Sequence, residues 1–208
     1  MALANYTDLK AAVSDWINRQ DLVSQIPDFI TMAEARFNRD IRHNAMMKRE
    51  TTVATSDYVT LPSDWLEHVS ITVSGDSSVS NPLTYLANDE FYRVKLQGLT
   101  GAFRYYTIQE NNILLLPAMS SGSTTLEILY YAKIPALSAS NATNWLLTRA
   151  PDLYLYGSLL GAEAFLQNDE RLPLWSAAMK DVMDSLKMES ERAKRPQGNL
   201  TARRRTFG

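Results

Sequence analysis

The chain has 208 residues, 45% of them hydrophobic and 21% charged, with 4 Trp and 10 Tyr. That is enough apolar material for one core or two smaller ones, which excludes wholesale disorder. There is no cysteine, so disulfides, thiolate metal sites and thiol nucleophiles are excluded together.

The charge is divided unevenly along the chain. All 23 acidic residues fall within residues 1–191 beside 15 of the 21 bases, a net of −8. The last 17 residues carry Arg192, Lys194, Arg195, Arg203, Arg204 and Arg205 with no acid, a net of +6. Pro196, Gly198 and Asn199 oppose a continued helix there. A basic arm of this kind reaches for a nucleic acid, a membrane or the acidic flank of another protein, or is simply a solvated terminus. The N-terminus has neither a basic n-region nor an apolar h-region, so no signal peptide is expected. The longest apolar run, Leu153 to Ala162, is about half a membrane span. The expectation is a soluble protein made in a cytoplasm.

The first fifty residues read as two helices. Thr7 is a candidate N-cap for the first, whose apolar face carries Leu9, Val13, Trp16 and Ile17. Gln20 to Gln25 turn the chain, and Pro27 sits in the first turn of the second helix, where its missing N–H costs little. Ile30, Ala33, Phe37 and Ile41 form that helix's apolar stripe, with Glu34, Arg36, Arg39, Asp40 and Arg42 on the opposite face.

From Thr51 the period becomes alternating. Segments 51–55, 58–61, 69–74, 103–108, 113–116 and 124–132 are rich in β-branched and aromatic residues. Turn residues separate them at Ser56-Asp57, Pro62-Ser63-Asp64, Gly75-Asp76-Ser77, Asn111-Asn112 and Ser120-Ser121-Gly122-Ser123. Antiparallel hairpins are the expectation. Asn88 to Leu96 reads as one short helix capped by Asn88, with Asp89 and Glu90 in its first turn.

After a polar stretch, Ser138 to Asn144, the helical period returns. Pro151 and Asp152 start a helix whose predicted core face is Leu153, Tyr156, Leu160, Ala164 and Phe165. A turn at 167–173 leads to an antiparallel last helix carrying Trp175, Ala178, Val182 and Leu186 and running to about Lys194. The predicted class is α+β: mainly a helical bundle of two N-terminal and two C-terminal helices, with an inserted antiparallel β region and an extended C-terminal arm. Residues 1–50 and 138–195 form the discontinuous bundle, 51–137 the β-rich insertion and 196–208 the basic arm. Trp16, Phe37, Phe165 and Trp175 are expected to meet in the bundle core.

Catalytic signatures are missing. There is no Gly-rich phosphate loop, GxGxxG, HExxH, GxSxG or EF-hand loop. Gly157 and Gly161 are spaced for close helix packing. His43 and His68 lie in different segments without a recognisable nucleophile or orienting acid. Asp89-Glu90 and Asp169-Glu170 read as helix-start acids rather than paired catalytic carboxylates. Asn141-Ala142-Thr143 and Asn199-Leu200-Thr201 match a glycosylation pattern that carries no weight without a signal peptide. Phe103-Arg104-Tyr105-Tyr106 interleaves a base with aromatics, as single-strand binders do, yet strand packing explains it better. No enzyme, cofactor or metal is expected.

Three stretches stand out. The first is Tyr6-Thr7-Asp8-Leu9-Lys10 with Trp16-Ile17-Asn18-Arg19, Ile26-Pro27-Asp28-Phe29-Ile30 and Ala33-Glu34-Ala35-Arg36-Phe37-Asn38-Arg39. The second is Tyr58-Val59-Thr60-Leu61-Pro62-Ser63-Asp64-Trp65-Leu66-Glu67. The third is Ala150-Pro151-Asp152-Leu153-Tyr154-Leu155-Tyr156-Gly157. In this order they resemble the head-to-tail adaptor (connector) proteins of tailed bacteriophages. The resemblance implies a virion protein at the head–tail junction, assembled as a ring, usually of twelve copies, between the portal protein and a downstream tail or nozzle protein. DNA would pass through the lumen without sequence-specific binding, and no membrane is involved. The C-terminal arm would embrace the portal, with Leu200, Arg203, Arg204, Arg205 and Phe207 as its contacts. The alternatives are a nucleic-acid-binding protein using the arm and a tail-associated cell-wall hydrolase. The free chain is expected to be monomeric and to form rings when a portal is present.

Overall fold

A computed structural model describes residues 3–74, 82–118, 122–166 and 170–194. The turns expected at 75–77 and 120–121, residues 167–169 of the 167–173 turn with the acid at Asp169, and the arm from Arg195 onward lie outside the described residues. The fold is α+β, with two compact units: Met1–Asn44 with Pro135–Gly208, and Ala45–Ile134.

The helical unit holds α1 (Tyr6–Ile17), α2 (Ile26–Asp40), α4 (Trp145–Arg149), α5 (Pro151–Gly161) and α6 (Leu172–Lys194). The cap of α1 is Asn5, whose side chain accepts from the Asp8 N–H at 2.9 Å, so Thr7 lies inside the helix. Pro27 occupies the first turn of α2. The stripe Ile30, Ala33, Phe37 and Ile41 is buried. Arg36, Arg39 and Asp40 are exposed as expected, but Glu34 is not: it is 5% exposed.

The helix α5 is central. It packs against α1, α2, α4 and α6, and it buries Leu153, Tyr154, Leu155, Gly157, Ser158 and Leu159. With neighbours on several sides it has no single apolar stripe, which corrects the expected face: Tyr156 and Leu160 are half-buried. Phe165 lies beyond the helix, in the 3₁₀ turn Glu163–Phe165, and the side chain of Ala164 is outside the described part. The glycine spacing does serve close packing. A Cβ on Gly157 would stand 2.6 Å from Phe37 Cζ, and one on Gly161 would stand 3.1 Å from the Phe29 Cα and carbonyl oxygen. The helix α4 was not anticipated; Asn144 caps it by accepting from the Leu147 N–H at 2.8 Å. In α6 the buried positions are Trp175, Met179, Met183, Leu186 and Ser190, with Ala178 and Val182 half-buried at the edge of the stripe.

The expected aromatic quartet does not assemble as a whole. Phe37 and Trp175 are buried, whereas Trp16 and Phe165 are 42% and 43% exposed. Each of the latter lays its ring against a neighbour, Trp16 on Tyr156 and Phe165 on Phe29, with centroids 6.2 and 5.5 Å apart.

The β unit contains β1 (Met47–Ala54), β2 (Tyr58–Thr60), β3 (Trp65–Ser74), β4 (Thr84–Tyr85), α3 (Asn88–Lys95), β5 (Tyr105–Gln109), β6 (Asn112–Leu116) and β7 (Thr124–Ala132). Its sheets run β1-β7-β3 and β2-β6-β5-β4. All pairings are antiparallel except β4 with β5. Among the described residues only β5 and β6 form a hairpin of consecutive strands, through Glu110 at φ 54°; elsewhere distant strands pair, which corrects the expected succession of hairpins.

One core joins both sheets through residues such as Ile71, Leu126, Ile128, Tyr130, Ile113 and Leu115. A smaller cluster of Leu86, Phe91 and Leu116 joins α3 to the other face of β6, with Leu114 packed against it. Residues of β6 therefore alternate between two buried faces, which is why Ile113-Leu114-Leu115-Leu116 reads as an unbroken apolar run. The expected Asn88 cap is replaced by Ala87, which makes no side-chain cap bond. The Asn88 side chain instead accepts from Thr107 Oγ1 at 3.0 Å, satisfying a hydroxyl whose residue is fully buried.

Candidate functional site

His68 and the aromatics of the 103–106 run are used for packing. His68, on β3, stacks on Tyr85 and meets Tyr106 edge-on, with centroids 5.1 and 5.8 Å apart. Phe103 and Tyr106 are buried in the sheet core and Arg104 is exposed just before β5 begins at Tyr105, so the aromatics of the mixed run are taken up by packing. Asp89 and Glu90 are exposed in the first turn of α3. Among the described residues no group of three or more His, Asp or Glu side chains is placed to hold a metal ion. No described helix is long and apolar enough to cross a membrane.

The sequence-derived contact residues Leu200, Arg203, Arg204, Arg205 and Phe207 lie outside the described residues. What is described is the root from which that segment departs, the last two turns of α6. Arg149, at the end of α4, grips Glu189 with two donors: Nε donates to Oε2 at 3.0 Å and Nη2 donates to Oε1. This pairing holds the Glu189 carboxyl below its usual range. His43 is 4% exposed, stacks on Trp145 with centroids 5.3 Å apart, and brings Nε2 to 3.8 Å from Glu189 Oε2. Burial, with Arg149 nearby, pushes the His43 pKa down against the opposing pull of Glu189. Ser190 Oγ donates to Asn44 Oδ1 at 3.1 Å, and Asn44 Nδ2 donates to the Ser190 carbonyl at 3.4 Å.

A second surface is hidden in the sequence, because apolar residues at helical spacing read as core. Trp16 and Phe165 are partly exposed, and two arginines bind the chain beside them. Arg171 Nη1 donates to the Trp16 carbonyl at 3.2 Å, and Arg19 Nη1 donates to the Phe165 carbonyl at 3.4 Å. Next to α2, α5 and α6 lies an open cleft of about 410 Å³, with Met32, Leu160, Leu172 and Pro173 on its walls and Arg36 and Arg39 at its rim. Aromatic and arginine side chains are the residue types that anchor protein interfaces.

Residues 4–205 match the SU10 adaptor protein family, and the chain belongs to that family. It is a bacteriophage structural adaptor and a component of the virion. No curated protein matches the chain.

Proposed function

We propose that this adaptor joins the portal protein to a downstream tail or nozzle protein at the head–tail junction. Its copies assemble as a ring, of twelve, and DNA passes through without sequence-specific binding. The observation that carries this reading is the family match over residues 4–205, which spans both units and nearly all of the basic tail.

The charge distribution supports it. Twelve bodies at −8 each carry roughly a hundred negative charges, an environment in which DNA phosphates are not retained. The basic segment 196–208 acts as a portal-binding arm through Leu200, Arg203, Arg204, Arg205 and Phe207. Arginine forks suit carboxylates on the partner, and Phe207 suits an apolar pocket. The stretch from Gln197 to Phe207 spans roughly 35 Å when extended, enough to reach a second subunit.

Electron microscopy of the chain mixed with its cognate portal, with and without residues 197–208, tests the proposal. The full chain caps portals with a ring, and the truncated chain keeps its fold but does not attach. Normal attachment without residues 197–208 removes the arm from the mechanism. Failure of the full chain to attach, combined with salt-sensitive binding to free DNA, turns the reading to nucleic-acid binding.

A further inference from the structure

The basic tail follows α6 in sequence, and segments distant in sequence hold the last turns of that helix. Asn44 is the last residue of the helical unit's first segment, and Arg149 and Trp145 belong to α4. Asn44 meets Ser190 and Arg149 meets Glu189, about one turn before Lys194, the last residue of the helix, while Trp145 stacks on His43. The buried stripe of α6 is apolar at Trp175, Met179, Met183 and Leu186, then becomes polar at Ser190, which is 2% exposed. An apolar side chain at that position would bury more carbon, but it would tolerate sliding and rotation. A serine held by two hydrogen bonds to a single asparagine tolerates little of either.

The Arg149–Glu189 pair points the same way. Both side chains are 45% exposed, so the pair adds little to stability. Its two-pronged geometry nevertheless restricts direction. Upstream, Trp175 through Leu186 anchor α6 in the core without help from these contacts.

We infer that the Asn44–Ser190 and Arg149–Glu189 contacts form a clamp that sets the direction in which the C-terminal segment leaves the bundle, making Asn44 and Arg149 positioning residues for the docking of the arm. This rests on the proposal that the arm binds the portal. Unwinding one turn at the end of α6 displaces the root by about 5 Å and removes its fixed heading. An arm launched in a defined direction loses less orientational freedom on binding, and in a ring that gain is repeated at every copy.

Four full-length proteins and one truncation test the clamp: wild type, Arg149→Glu, the swap Arg149→Glu/Glu189→Arg, Ser190→Ala, and the chain lacking residues 197–208. Amide exchange is followed along α6, and affinity for isolated portals is measured beside it. Arg149→Glu and Ser190→Ala are expected to speed exchange at residues 188–194 about tenfold while leaving 175–186 unchanged. Portal affinity falls about tenfold with them, and the swap recovers both readouts. Unchanged exchange in both single variants overturns the clamp. Faster exchange with undiminished portal affinity overturns its role in directing the arm. If the truncated chain binds portals as well as the full chain, the arm proposal and the positioning role fall together, and the exchange data alone then decide whether the clamp holds α6.

Discussion

In both units a tyrosine hydroxyl faces carboxylates, but in very different surroundings. In the helical unit, Tyr154 donates to Glu34 Oε1 at 3.1 Å and accepts from Asn144 Nδ2 at 2.7 Å, with all three residues buried. The Leu137 N–H donates to the same Glu34 oxygen at 2.8 Å. In the β unit, Tyr130 lies 2.9 Å from Glu50 Oε2 and 2.8 Å from Asp64 Oδ1, and Lys48 Nζ donates to Asp64 Oδ2 at 2.8 Å. Burial drives the Glu34 carboxyl above its usual range, and its two donors offset this only in part. Burial also pushes at Asp64, but bonds from Lys48 and Tyr130 outweigh it and hold that carboxyl low. The helical unit thus accepts the cost of a buried acid to pin the backbone at Leu137, where the chain returns from the insertion. The β unit ties β1, β7 and the turn before β3 with a cluster that brings its own cation.

The sharpest way to break this contrast is to cut the chain. Residues 45–134 expressed alone are expected to fold with a cooperative melt, because their core is complete within one segment. Residues 135–194 alone are expected to show no cooperative transition, because α5 then lacks α1 and α2. Circular dichroism melts of the two fragments decide it.

Substitutions sharpen the contrast. Phe37→Ala is expected to cost about 3–5 kcal/mol in chemical denaturation, since the ring is fully buried against Tyr154. The same truncation at Trp16, 42% exposed, is expected to cost clearly less. Gly157→Ala gains helix propensity but forces a methyl to 2.6 Å from a ring with no room to move, and a net loss of about 1–3 kcal/mol is expected. A neutral result would mean that α2 and α5 are more loosely packed than described.

The smallest effect concerns pH. Because the folded pKa of Glu34 is raised, its contribution is fully present below the unfolded carboxylate range and is lost as pH rises through the folded value. Glu34→Gln keeps an acceptor for Leu137 and Tyr154 without the charge. Its melting temperature relative to wild type should therefore climb as pH is raised from about 4. A difference that stays constant with pH would show that Glu34 is not strained by burial.

The class and most elements were legible in the sequence because period and turn chemistry are local. The α2 stripe, the α6 run to Lys194 and β7 at Thr124–Ala132 follow from spacing alone. The misses share a cause. Glu34 reads as solvent-facing by its type, yet a segment more than a hundred residues away covers it. Trp16 and Phe165 read as core residues by type, yet they finish at its edge. Strand order was illegible because β7 pairs with β1 and β3 across long stretches of chain. The clamp at Asn44, Arg149 and Ser190 left no signal, since ordinary polar residues acquire a role only when three segments converge. The contact residues read from the basic tail lie in a stretch outside the described residues, so for them sequence remains the guide.

The split of the helical unit also governs the order of events at the ribosome. The helix α2, with Phe29, Ile30, Ala33 and Phe37 on its apolar face, is synthesised about 110 residues before α5, which covers it. At roughly 5–20 residues per second, that face waits about 5–20 s for its partner. The contiguous β unit emerges in between and can complete its own core first. During that interval the nascent chain presents a greasy helix beside a finished sheet domain, so α2 is the segment most exposed to chaperone capture or to premature association between neighbouring nascent chains.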